Sequence, residues 1–249
     1  MSLAAAYMFG RKQGLVIPLA DFLAAYKFEN NFLDSAGNND GTGTGTAFNS
    51  SIKKAGAFSS EFAWTTTPDY VTIPYISASD DFNFSGNKPF SISMWFYPTE
   101  DKNFFLINKR QTSFQPDIGE FRLLYNNNEL ALDLFDVGNS PTGILRGSLT
   151  GVSVNLNQWN NVVATTNGVD QVHIYFKGLK STNIQVFNTF NSINSFAQPV
   201  IIGARAFQLT NTAFGFKGYI DESYVFNKEL TDAQALYIRN KGIASESLI

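Results

Sequence analysis

The chain carries one histidine, His173, and no cysteine. A Ser-His-Asp relay needs a histidine beside an activated nucleophile, and no nucleophile-elbow motif accompanies this one. Lack of cysteine removes disulfides, thiolate nucleophiles and thiolate metal sites. Nucleophilic catalysis therefore has little to work with. Recognition chemistry has more. Trp64 stands in Glu61-Phe62-Ala63-Trp64-Thr65-Thr66-Thr67-Pro68, which reads as a loop. Phe104, Phe114 and Phe207 lie near other loops, and Asn127 is the centre of an Asn126-Asn127-Asn128 run. Aromatic faces stack on the C–H faces of sugar rings, and amides donate and accept hydrogen bonds to hydroxyls. Trp64, Phe104, Phe114, Asn127 and Phe207 are the expected ligand contacts. Packing of the rings and a plain turn for the asparagines are the competing readings.

These residues need a scaffold, and the sequence reads as a β scaffold. Short apolar or alternating runs are separated by Gly, Asn, Asp and Pro clusters. The clearest run is Phe90-Ser91-Ile92-Ser93-Met94-Trp95-Phe96-Tyr97-Pro98. Period-two alternation puts Phe90, Ile92, Met94 and Phe96 on one face, with Ser91, Ser93, Trp95 and Tyr97 on the other. Further strands are expected at 23–28, 70–74, 104–108, 121–125, 130–135, 159–165, 171–176, 200–203 and 216–226. Gly41-Thr42-Gly43-Thr44-Gly45-Thr46 suits an extended edge segment. Trp95 and Trp159, inside strand blocks, are expected in the core. Only 231–239 reads as helix, with Thr231 as its cap. Many short strands and one late helix predict an all-β, two-sheet antiparallel sandwich or jelly roll.

Composition agrees. Of 249 residues, 44% are hydrophobic and only 16% charged, which excludes a disordered chain. The 24 phenylalanines suit pleated, half-buried surfaces. Net charge is −3 and no basic stripe appears, so phosphate-driven nucleic-acid binding is not expected. No apolar run is long enough to span a bilayer. Residues 1–22 are expected to form an arm outside a domain at 23–249. Their apolar start is followed, not preceded, by Arg11 and Lys12, which reverses the charge order of an export signal.

Ordered blocks across 23–242 carry a family resemblance. They are Leu23-Ala24-Ala25-Tyr26-Lys27-Phe28 with Asp34-Ser35-Ala36-Gly37-Asn38, then Asp69-Tyr70-Val71-Thr72-Ile73-Pro74 and the strand at 90–98. Next come Gln158-Trp159-Asn160-Asn161-Val162-Val163 and Val172-His173-Ile174-Tyr175-Phe176-Lys177-Gly178. The last are Ile201-Ile202-Gly203-Ala204-Arg205 and the segment from Phe216 to Thr231, with Ile220-Asp221-Glu222 at its centre. In this order they resemble laminin-G-like jelly rolls of the concanavalin A-like lectin/glucanase superfamily.

The resemblance implies two face-to-face antiparallel sheets and, more loosely, adhesion or carbohydrate binding. It also implies a structural Ca²⁺ held by Asp34, Asn38 and Asp40 of the early loop with Asp221 of the late strand. Six to eight oxygens would suit that ion, but Asx residues also build turns unaided. Related glycosidases carry a Glu-x-Asp-x-Glu face. Here Glu129-Leu130-Ala131-Leu132-Asp133 puts Ala131 at the middle position. Glu129 and Asp133, four residues apart on a strand, are ~13 Å apart, far beyond the about 5–5.5 Å that retaining hydrolysis needs.

The expected function is non-enzymatic binding of a carbohydrate or host surface receptor on a virion or cell surface. Residues 1–22 would dock to other virion or surface proteins, and a homo-oligomer suits an attachment protein. The rival is a purely structural capsid, spike or decoration protein.

Overall fold

The computed structural model describes residues 15–77, 81–110, 119–136, 142–205 and 212–249. In chain order the strands are β1 Phe22–Tyr26, β2 Thr42–Thr44, β3 Ala47–Asn49, β4 Ser59–Phe62, β5 Tyr70–Ile73, β6 Phe90–Pro98, β7 Phe104–Arg110 and β8 Gly119–Asn126. They continue as β9 Glu129–Asp136, β10 Gly143–Thr150, β11 Asn160–Thr166, β12 Val172–Phe176, β13 Leu179–Lys180, β14 Asn183–Phe187, β15 Val200–Ile202 and β16 Gly218–Phe226. Helix α1 spans Asp232–Ile243.

The strands form two antiparallel sheets packed as a jelly-roll sandwich. One, here the helix-side sheet, has the order β13-β12-β11-β6-β16-β4-β3, with β1 also paired to β16. The other has the order β14-β10-β9-β8-β7-β15-β5-β2. The Gly-Thr repeat supplies β2, an edge strand as expected.

Alternation fills the space between the sheets. Phe90, Ile92, Met94 and Phe96 of β6 face Phe121, Leu123, Leu132 and Leu134 of the opposite sheet in one buried cluster. Burying each such side chain contributes roughly 1.5–3 kcal/mol. Phe84 stacks on Phe90 at 3.9 Å between centroids, so the long β5–β6 connection is pinned to the core.

A second apolar layer lies outside the helix-side sheet. α1 packs Ala235 and Ile238 against Val163, Tyr224 and Phe226. The helix starts in a capping box: Thr231 and Gln234 each accept from the other's backbone N–H. Ile17 and Phe22 join this cluster, and Phe22 pairs with Phe226, so the sandwich already begins one residue before the expected boundary at Leu23. Residues 1–14 lie outside the described residues.

The two sheets also hold buried charge. Lys109 Nζ lies 2.9 Å from Glu120 Oε2, with side chains only 1% and 0% exposed. Lys109 also donates to Phe82 O, while Glu120 accepts from the N–H groups of Phe84 and Phe196. On the outer face of the same sheet, Asp133 is clamped by Arg122 Nε at 2.5 Å and by Arg146 Nε and Nη2 at 2.6 and 2.9 Å. Burial alone would raise the Asp133 carboxyl, but the two guanidiniums hold it below the usual carboxylate range.

Candidate functional site

The early loop and the late strand hold their carboxylates in separate hydrogen-bond networks. Asp34 is a turn-maker: Oδ1 accepts from Ala25 N and Ala36 N, and Oδ2 accepts from Asn39 N and Nδ2. Asp40 Oδ1 caps the same loop through Asp34 N, and Asn38 is exposed. Asp221 serves a different segment, accepting from Lys54 N at 2.7 Å, Ala55 N at 3.2 Å and Glu222 N at 2.8 Å. Among the described residues no group of three or more His, Asp or Glu side chains is placed to hold a metal ion. Asp34, Asp40 and Asp221 satisfy backbone N–H groups in two separate networks.

Asp221 sits at a bulge. The β6–β16 register shifts between Asp221 and Tyr224, and Glu222 takes a left-handed φ of 46°. Burial pushes the Asp221 carboxyl up to about 8, although its backbone donors pull the other way. A carboxyl raised in the folded state favours folding while protonated and opposes it once ionised. Stability is therefore expected to fall as pH climbs from about 4 towards 8. Thermal melts at pH 5 and pH 8 check this, and the drop should shrink in Asp221→Asn. An equal drop in the variant would assign the titration elsewhere.

The expected ligand contacts scatter. Phe104 is not a loop residue: it is 1% exposed and packs edge-on against Phe96 and Phe216 in the core. Asn127 and Asn128, with φ of 49° and 63°, form the two-residue turn of the β8–β9 hairpin, and Asn127 N donates to Asn103 Oδ1. Phe114 and Phe207 lie outside the described residues. Trp64 is half-buried, donating through Nε1 to Phe216 O, and its ring carries Lys102 Nζ at 4.0 Å.

A cleft forms elsewhere, on the outer face of the helix-side sheet. Core-facing Met94 and Phe96 force Trp95 of β6 outward. In register beside Trp95 stand Asn161 of β11 on one side and Asp221 of β16 on the other. Trp95 is thus absent from the inter-sheet core where its strand context put it. α1 crosses above it. Gly242 is required there, since a Cβ would overlap the Trp95 indole. Arg239 and Ile243, on the same helical face, form one wall.

The other walls come from loops. Lys54, before β4, sets its Nζ 4.5 Å over the Trp95 ring. Asn155 and half-buried Trp159 precede β11, and Asn160 fixes their loop by donating to Asn155 O and Gln158 O. Lys177, in the β12–β13 turn, donates to Ser153 O and Asn155 Oδ1. The cleft they enclose is about 420 Å³. A smaller cavity of about 200 Å³ continues it along α1, sharing Asn161 and Arg239. From Trp159 an aromatic row runs across the sheet to Tyr97 and Tyr219, each pair 5.6 Å apart edge to face.

Sequence reading missed Lys54, Trp95, Asn155, Trp159, Asn161, Lys177 and Arg239. A signal existed in the alternation of β6, which already placed Trp95 opposite the core face. The helix that turns that face into a cleft was visible, but not its docking position.

Two antiparallel sheets thus carry an aromatic- and amide-lined cleft on the outer face of the helix-side sheet. A family model described as the Concanavalin A-like lectin/glucanases superfamily matches residues 65–235, and the chain belongs to that superfamily. No curated protein matches the chain. The fold is similar to the botulinum neurotoxin serotype D ligand-binding domain solved with N-acetylneuraminic acid (15% identity, TM-score 0.63, covering 90% of this chain and 51% of that one). It is also similar to domain 4 of AbnA, an extracellular arabinanase from Geobacillus stearothermophilus, solved with arabinotriose (20% identity, TM-score 0.57, 87% and 97% covered). A third likeness is to the binding domain of Paraclostridial Mosquitocidal Protein 1 (15% identity, TM-score 0.64, 90% and 53%). The chain spans about half the length of the toxin domains it matches. Among the described residues no helix is long and apolar enough to cross a membrane.

Proposed function

We propose that this chain is a non-catalytic carbohydrate-binding module displayed outside the cell. The observation that carries the reading is the cleft: two tryptophans, the side-chain amides of Asn155 and Asn161, and cationic donors line one space of about 420 Å³. Stacking surface with a few convergent polar groups is what a saccharide requires. The neurotoxin and arabinanase domains that share the fold were solved with sugars.

Three features support a non-catalytic role. Asp133, held ionised under two arginines, is a poor proton donor. Glu129 shares Arg146 with it at 3.6 Å. His173 lies in β12, beside a surface hollow lined by Glu229, Thr231 and Asp232 rather than in the cleft. Location on a virion is the narrower version of this reading, and it rests on the sequence of residues 1–22 alone.

Trp159→Ala is expected to weaken oligosaccharide binding about 10- to 100-fold, as losing one aromatic platform of about 1–3 kcal/mol would. Titration calorimetry against a hit from a glycan array measures it, with the melting temperature as the control for folding. Unchanged affinity in Trp159→Ala would move the site off this cleft.

A further inference from the structure

The cleft's charge is one-sided, and this identifies a ligand class. Its lining includes Lys54, Lys177 and Arg239 and no Asp or Glu. The chain as a whole is acidic, with 21 carboxylates against 18 Lys and Arg, so the positive lining is local and not a reflection of composition. Among the described residues neither Lys54 nor Arg239 makes an ion pair, and Lys177 meets only neutral groups, the oxygens of Ser153 and Asn155 and the Phe176 ring. Four surface lysines elsewhere do pair, Lys180 with Asp232, Lys217 with Glu100, Lys228 with Asp21 and Lys241 with Glu246, while Lys53 and Lys88 donate to the backbone carbonyls of Ser50 and Asn83; the cleft differs in gathering three cations around one space.

We infer that the cleft takes an anionic saccharide, one bearing carboxylate or sulfate groups, with the sugar ring against half-buried Trp159 and the acid group between Lys54 and Arg239. This deepens the carbohydrate-binding reading and depends on it. The guanidinium of Arg239 offers a planar fork that a carboxylate or sulfate can accept from twice. Lys54 offers a point charge already partly desolvated over the Trp95 indole. Burial lowers its affinity for a proton, and the nearby Asp221 offsets this in part. An incoming anion would add to that offset, which gives the ammonium a reason to favour a charged ligand over a neutral one. Asp221, in register beside Trp95, is fully buried, accepts from backbone N–H groups and does not line the cleft. The smaller cavity along α1 adds Lys180, already paired with Asp232 at 2.8 Å, so the charge excess is confined to the larger space.

The test is calorimetry on the full chain with three probes: tetragalacturonate, a heparin tetrasaccharide and neutral maltotetraose. The expected result is at least tenfold tighter binding of one or both acidic probes at 50 mM salt, with the advantage shrinking by 500 mM. Which acidic probe wins distinguishes carboxylate from sulfate. Arg239→Gln and Lys54→Gln should each remove most of the preference without changing the melting temperature. Equal affinity for maltotetraose, sensitive to Trp159→Ala, would overturn the inference while leaving the carbohydrate reading intact. An acidic preference unchanged in Arg239→Gln and Lys54→Gln would also overturn it. No binding of any probe would count against both.

Discussion

Replacing Glu120 with Ala is expected to lower the unfolding free energy by about 3–5 kcal/mol, the usual cost of leaving one member of a buried ion pair alone. The environment explains the size. Lys109 and Glu120 are both essentially inaccessible, so the stranded ammonium has no route to water. Its remaining partners would be Phe82 O at 3.0 Å and the face of the Tyr75 ring, 5.4 Å from its centroid. Two backbone donors would be orphaned at the same time, since Glu120 accepts from Phe84 N and Phe196 N. Burial raises the Glu120 carboxyl and Lys109 opposes that rise. Denaturant titration measures the loss as a lower midpoint at constant slope. The double variant Lys109→Met/Glu120→Leu should recover much of the stability, because a well-packed apolar pair of similar volume is often neutral or better. A loss below about 1 kcal/mol in Glu120→Ala would mean that water reaches the pair.

Phe104→Ala is the second large effect, expected at about 3–5 kcal/mol for a phenylalanine truncated in a close-packed interior. Phe104 packs against Phe96, Tyr125 and Phe216, with centroids 5.1–5.8 Å away. The cavity would open between the sheets, remote from the outer cleft. Oligosaccharide affinity should therefore stay within about twofold of the parent at temperatures where the variant is folded. Denaturation for the first quantity and calorimetry for the second separate a packing role from a contact role. A large loss of affinity with little loss of stability would return Phe104 to the binding surface.

The contrast between Phe104 and Trp95 shows what could be read in advance. Strand identity was legible because β6 and β9 are long and their alternation is nearly unbroken. Strands β3, β4, β10, β13 and β14 were not, for different reasons. β10 reads Gly-Ile-Leu-Arg-Gly-Ser-Leu-Thr, and Gly147 is there because Val172 of β12 crosses too close for a Cβ. That is a tertiary requirement with no local signature. β13 and β14 are short, exposed edge strands held by their neighbours' hydrogen bonds rather than by apolar patterning.

The site was harder still. Alternation says which face a side chain takes, but not whether that face meets solvent, the opposite sheet or a helix. Phe104 and Phe105 are adjacent, yet only Phe104 belongs to the main core, while Phe105 sits in a small cluster with Leu124 and Ala131 on the other face. Trp95, assigned to the core by its strand, owes its place in a cleft to Gly242, 147 positions away in sequence. The early Asp-rich loop kept its turn chemistry, while Asp221 accepts from the backbone of Lys54 and Ala55 rather than from that loop.

The position of α1 makes the cleft modular. One wall is helix, the floor is sheet, and the remaining walls are loops. The residues of the helical wall, Arg239 and Ile243, lie outside the buried cluster between the two sheets. Substitutions there can accumulate without threatening the fold, provided Gly242 keeps the helix seated. A lineage carrying this sandwich can thus reshape one wall of the cleft by editing a single short helix.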